Sequence, residues 1–207
     1  MDTSLKAIDD AFTTQYRGLL DIQRNIKHQL ESYPFDLSKT EITDAIIERM
    51  DAFWLFNVNN NKEILDREIN TTAADFFTET CLLFLKSYFE QTEGISVLSE
   101  KTIFGSRIRP DISIWKDSRL KAVIELKVSD GWKGKTMLSH LKDREEQIKK
   151  LEPDAYFGVL AFWNFFEKSE EGWNSKYFGL LNFDNKNKHE RTDASIEKLI
   201  QEINKCI

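Results

Sequence analysis

The sequence predicts an α/β fold in which a mixed central sheet is flanked by helices and preceded by a helical extension. Three observations predict it. Apolar residues recur every three or four positions up to about Glu90, then alternate after Gly94. A charged amphipathic stretch, Thr136 to Leu151, follows the alternating segments. Beyond it lies AYFGVLAFW, a short apolar run of the kind found in strands that helices cover.

Residues 3–31 are predicted helical from the spacing of Leu5, Ile8, Phe12, Tyr16, Leu19, Ile22, Ile26 and Leu30, and Pro34 ends that element. A second helix is expected from about Ser38, a suitable N-cap with Glu41 three residues on, through Met50 toward Phe56. The Asn-rich VNNNK, Val58 to Lys62, reads as a connection. A third helix, about Thr72 to Glu90, is apolar around most of its circumference and so should be buried. ISVLSEKTIF, RPDISIW and LKAVIELKV read as three successive strands, and the helix Thr136–Leu151 leads to the strand AYFGVLAFW. YFGLLNF, Tyr177 to Phe183, is a further strand candidate, and a helix from about Asp193 to Ile203 closes the chain. The expected division is a helical extension, residues 1–66, and an α/β domain, residues 67–207.

A chain of 207 residues suits one medium domain with an appendage, and 41% hydrophobic and 12% aromatic content excludes a disordered chain. Cys81 and Cys206 lie far apart and read as free thiols in a reducing compartment. MDTSLKAIDDAF lacks the basic and apolar regions of a signal peptide. Ala155 to Phe166 falls short of the ~20 residues needed to span a bilayer. A cytoplasmic protein without membrane contact is therefore expected. The net charge of −6 argues against a chain that simply coats nucleic acid, but residues 100–150 carry 13 Lys and Arg against 8 Asp and Glu. A local basic block on an acidic protein is what a phosphate-binding face requires.

Within that block, the hairpin RPDISIWKDSRLKAVIELKV carries Asp111, Glu125 and Lys127 in strands otherwise apolar. Burying a charge is costly unless it is paired or bound to a metal. A three-residue turn, Asp117 to Arg119, would set Lys116 opposite Leu120 and Asp111 opposite Glu125, with Cβ atoms about 5 Å apart. A two-residue turn would instead put the two carboxylates on opposite faces. In the first register a cation is needed between them, and hard oxygen donors suit Mg²⁺ or Mn²⁺. Lys127 shares the face of Glu125, where an ammonium could orient a water or neutralise a phosphate. These are the parts of phosphodiester hydrolysis.

Pro110-Asp111 followed by Glu125-Leu126-Lys127 resembles the signature of the PD-(D/E)XK nuclease superfamily, and the element order over residues 70–165 is similar to its restriction-endonuclease-like core. The resemblance implies an αβββαβ core, a divalent-metal site on Asp111 and Glu125, and Lys127 as the catalytic lysine of an Mg²⁺- or Mn²⁺-dependent nuclease. It implies DNA as substrate ahead of RNA, in restriction, repair or defence. It also implies a further acidic residue from the preceding helix, for which Glu79 is the candidate and Glu100 and Glu68 the substitutes. A second acid-x-Lys triplet, Asp184-Lys186, lies in the turn-like FDNKNK and is set aside for that reason. Where members carry Gln and, four residues on, Tyr, this chain has Gln147 and Leu151.

SDGWKGKT lacks the first glycine of a phosphate-binding P-loop, since residue 129 is Ser. It reads instead as a loop whose Trp132, Lys133 and Lys135 contact nucleic acid, joined by Arg107 and Arg109. His28, His140 and His189 form no zinc spacing with the cysteines. The acidic N-terminal helices suit a homodimer contact or a protein partner. Two other readings share these residues: a catalytically inactive binding module of the same fold, acting through its helical region, and an RNA-directed nuclease.

Overall fold

The computed structural model describes residues 4–68, 72–128, 135–164, 175–182 and 190–207. The chain forms two compact units, Met1–Phe35 and Asp36–Ile207. The first is a single long helix, α1 (Leu5–Leu30), which Ser4 caps by accepting a hydrogen bond from the Ala7 N–H. The second contains helices α2 (Glu41–Asn59), α3 (Ala74–Phe89), α4 (Lys135–Leu151) and α5 (Ile196–Asn204) and strands β1 (Ile95–Ser99), β2 (Ile112–Lys116), β3 (Arg119–Lys127), β4 (Tyr156–Asn164) and β5 (Tyr177–Asn182). The helical segment expected to run to residue 66 is thus divided, because α2 packs against α3 and α5 as part of the second unit.

Five strands in the order β1-β2-β3-β4-β5 make a mixed sheet. β1, β2 and β3 are antiparallel; β3, β4 and β5 are parallel. α4 covers one face, where Leu141 and Ile148 pack with Val123, Phe157 and Val159. α3 packs on the other through Phe77 against Phe162, and α5 joins it at Gly158, where an added Cβ would lie only 3.0 Å from Leu199 Cδ1. Both sheet edges are covered. On β1, Glu90 accepts from the Val97 N–H while Lys86 donates to the Val97 carbonyl, and the two side chains pair at 2.6 Å. Along β5, residues 190–192 return to hydrogen-bond the Asn182 N–H and the Leu180 carbonyl.

Three local features differ from expectation, each for a physical reason. VNNNK is not a connection: α2 runs to Asn59 and widens into a π-helical turn, Asn60–Ile64, with Asn57 and Asn61 buried one turn apart. Ser38 does not cap α2. Its N-terminus is capped from the far end of the chain, where buried Glu197 accepts from the N–H groups of Ile42 and Thr43 at 2.8 and 3.0 Å. The third is β1, which ends at Ser99 instead of running to Phe104, because Glu100 turns at positive φ (52°) and the Ile103 N–H bonds the Ile108 carbonyl. Of the two hairpin turns considered, the shorter forms: Asp117 and Ser118, both at positive φ (50° and 66°), with Lys116 paired to Arg119. Such a turn matches the right-handed twist of the strands and favours glycine at its second position. Ser118→Gly should therefore raise stability by about 0.5–1 kcal/mol, read as a small upward shift in the thermal midpoint.

Among the described residues no helix is long and apolar enough to cross a membrane. Both cysteines are free, Cys81 buried and Cys206 half-buried, and burial pushes the Cys81 thiol well above its ordinary pKa.

Candidate active site

A two-residue turn should have separated Asp111 and Glu125 onto opposite faces, but a β-bulge reverses that outcome. Trp115 pairs with Leu120 and Ile114 with Ala122, so Lys121 is the extra residue. Beyond it Ser113 faces Val123 and Ile112 faces Ile124. Continued by one residue, this register brings Asp111 level with Glu125, and the contacts agree: Lys127 Nζ lies 3.7 Å from Asp111 Oδ2 and 3.4 Å from Glu125 Oε2. One ammonium thus bridges two carboxylates.

Each carboxylate is held differently. Asp111 follows the buried Pro110 at the entrance to β2, and its Oδ2 accepts the Leu126 N–H at 2.6 Å. A main-chain donor therefore fixes its orientation. Glu125 points from the middle of the sheet and is only 6% exposed. Its Oε1 is buried with no hydrogen-bond partner among the described residues. Arg144 Nε approaches that oxygen to 3.5 Å, an ion-pair distance without hydrogen-bond alignment. Burial raises the Glu125 pKa, the Asp111 charge raises it further, and the cations of Lys127 and Arg144 only partly oppose them.

Arg144 is the residue the sequence reading missed. It lies three positions after Leu141 and four before Ile148, both buried against the sheet, so it occupies the inward stripe of α4. A charge on an otherwise apolar inward stripe was the available signal, hidden by a helix rich in charge all round.

The structure does not add a third carboxylate. Glu79 is exposed on α3, and Glu68 is exposed between the π-helical turn and α3. Glu100, also exposed, comes nearest through its backbone, since its N–H contacts the Pro110 and Asp111 carbonyls at 3.2 Å. Among the described residues no three His, Cys, Asp or Glu side chains converge to hold a metal ion. Arg107 and Arg109 are exposed on either side of Ile108, which with Ile103 anchors the loop before β2. Lys135 opens α4. Trp132 and Lys133 lie outside the described residues, as does Asp184-Lys186. Gln147 is exposed on α4.

The donor set fits a hard divalent cation. Two oxygen-rich side chains repel one another, one is buried with an unpartnered oxygen, and Asp111 keeps a second oxygen beyond the one used by Leu126. The chain has no significant match among protein-family models, curated proteins or solved structures.

Proposed function

We propose that residues 36–207 form a restriction-endonuclease-like nuclease that hydrolyses phosphodiester bonds, with DNA as its substrate and Mg²⁺ or Mn²⁺ as its cofactor. The observation that carries this reading is the convergence of Asp111, Glu125 and Lys127 on one sheet face, with Glu125 Oε1 buried and unpartnered. The order α3-β1-β2-β3-α4-β4 supports it, being similar to that family's αβββαβ core.

In this reading Asp111 and Glu125 hold the cation, which when bound acidifies a water and polarises the phosphate. The remaining work belongs to the protein's own groups. The Leu126 N–H fixes one oxygen of Asp111 and leaves the other for the ligand. Lys127, its side chain 20% exposed, is placed to orient the attacking water and to carry a proton at Nζ. Arg144 pairs with Glu125 from α4 and can turn its remaining donors to a phosphate oxygen. Arg107 and Arg109 supply positive charge at the approach.

The test incubates the purified chain with plasmid, linear DNA, branched DNA and structured RNA in Mg²⁺, Mn²⁺ or EDTA. Cleavage should require the metal, favour a DNA substrate and fall by roughly a hundred- to ten-thousand-fold in Lys127→Ala. Cleavage confined to RNA would move the substrate class. Cleavage that survives EDTA, or is unchanged in Lys127→Ala, would refute the site.

A further inference from the structure

The first unit presents a separate problem of physical chemistry. It comprises 35 residues, and none of the residues of α1 is buried. Chains below about 40 residues rarely bury enough surface to fold without a disulfide, a metal or a partner. Neither cysteine lies in this unit.

The spacing on α1 says what the partner is. Leu5, Phe12, Leu19 and Ile26 fall seven residues apart, and Ile8 and Ile22 fall three residues after Leu5 and Leu19. These are the two seam positions of a heptad, with Gln15 and Gln29 completing the second series. The first seam position is apolar at every seven-residue interval, the second only at Ile8 and Ile22, and a seam of this spacing packs against another helix that carries it. Leu5, Ile8, Phe12, Leu19 and Ile22 are 55–81% exposed, and the Phe12 and Tyr16 rings stack beside them.

Area and charge favour a second copy of the chain. α1 is about 39 Å long. The exposed seam side chains Leu5, Ile8, Phe12, Leu19 and Ile22 with the flanking Tyr16, at roughly 100 Å² each, offer on the order of 600 Å² per helix, the lower end of what each partner of a stable complex buries. The positions flanking the seam are Ser4, Ala11, Gly18 and Asn25 on one side and Asp9, Tyr16, Gln23 and Leu30 on the other. Only Asp9 is charged, so no charge repulsion opposes self-pairing. The face opposite the seam carries Asp10, Arg17 and Arg24, mixed in sign. An anionic membrane would call for Lys and Arg along that face.

We propose that α1 pairs with α1 of a second copy as a two-stranded coiled coil, making the protein a homodimer through its first unit. This pairing is independent of the chemistry at the hairpin.

Sedimentation equilibrium of the full chain, over about 1–100 µM, tests it. The wild-type protein should sediment at twice the 24.3 kDa protomer mass, and Leu19→Asp/Ile22→Asp at the protomer mass with reduced helical circular dichroism. Arg17→Asp, opposite the seam, should remain dimeric. All five tryptophans lie in the second unit, so unchanged tryptophan fluorescence in the double variant shows that unit to be intact. A wild-type monomer at every concentration, or a dimer surviving the double substitution, would overturn the proposal. So would altered fluorescence in the double variant, which would assign the seam to its own chain's second unit.

Discussion

Glu125→Gln should abolish metal-dependent cleavage, by on the order of a thousandfold or more, and at the same time make the metal-free protein more stable. The two effects share one cause. The Glu125 carboxyl is buried, faces the charge of Asp111 and leaves Oε1 without a hydrogen-bond partner among the described residues. Lys127 and Arg144 favour the charged form, yet the balance still raises the Glu125 pKa, so a neutral amide of the same shape is better accommodated. A gain of about 1 kcal/mol, or ~2–4 °C in the thermal midpoint, is expected. Its pH dependence follows from the direction of the shift. Because the folded state holds the Glu125 proton more tightly than the unfolded state does, the wild type pays no penalty below the ordinary carboxylate range. It loses stability as pH rises from there through the elevated folded-state pKa. The advantage of the variant should therefore vanish in acid and grow as pH rises out of the carboxylate range. Thermal melts of both proteins across that range provide the check; an advantage that grows in acid, or a destabilised variant at neutral pH, would contradict it.

Glu197→Ala should be the most destabilising of the single substitutions considered, at about 3 kcal/mol, or roughly 6–12 °C in the thermal midpoint. Glu197 is 2% exposed, and its Oε2 accepts from the Thr43 hydroxyl at 2.6 Å while its Oε1 takes two N–H groups of the first turn of α2. The same Thr43 hydroxyl oxygen accepts the Ile196 N–H at the start of α5. One carboxylate thus sits between the positive ends of two helices and satisfies donors that have no intrahelical partner. Alanine leaves those donors buried and unpaired, which costs more than the loss of an exposed cap. Glu197→Gln, which keeps one acceptor, should lose less. Chemical denaturation of the three proteins reads the difference, and an alanine variant within 1 kcal/mol of wild type would show that water replaces the carboxylate.

What the sequence made legible was set by local pattern. The period change at Gly94 located the strands, and VIELKV identified Glu125 and Lys127 as charges on an apolar strand. Asp111 opposite Glu125 was expected only for a three-residue turn, yet two turn residues and a bulge at Lys121 give the same offset. Their sequence signatures overlap, because Asp-Ser is not a strong two-residue turn. The cap on α2 could not be read locally, since its acceptor lies about 155 positions away. VNNNK has the composition of a loop, but burial of Asn57 and Asn61 holds it in helical form. Arg144 was obscured because a helix with eight charged residues in seventeen gives no single charge prominence.

Hydrolysis at this site requires that Asp111 and Glu125 together bind one divalent cation. Calorimetric titration of Mg²⁺ and Mn²⁺ into the wild-type chain, Asp111→Asn and Glu125→Gln, at neutral pH and again within the carboxylate range, tests it most directly. One cation per protomer is predicted in the wild type, absent from both variants and weakened in acid, where the proton on Glu125 competes. No binding in the wild type, or binding that persists in both variants, would contradict it.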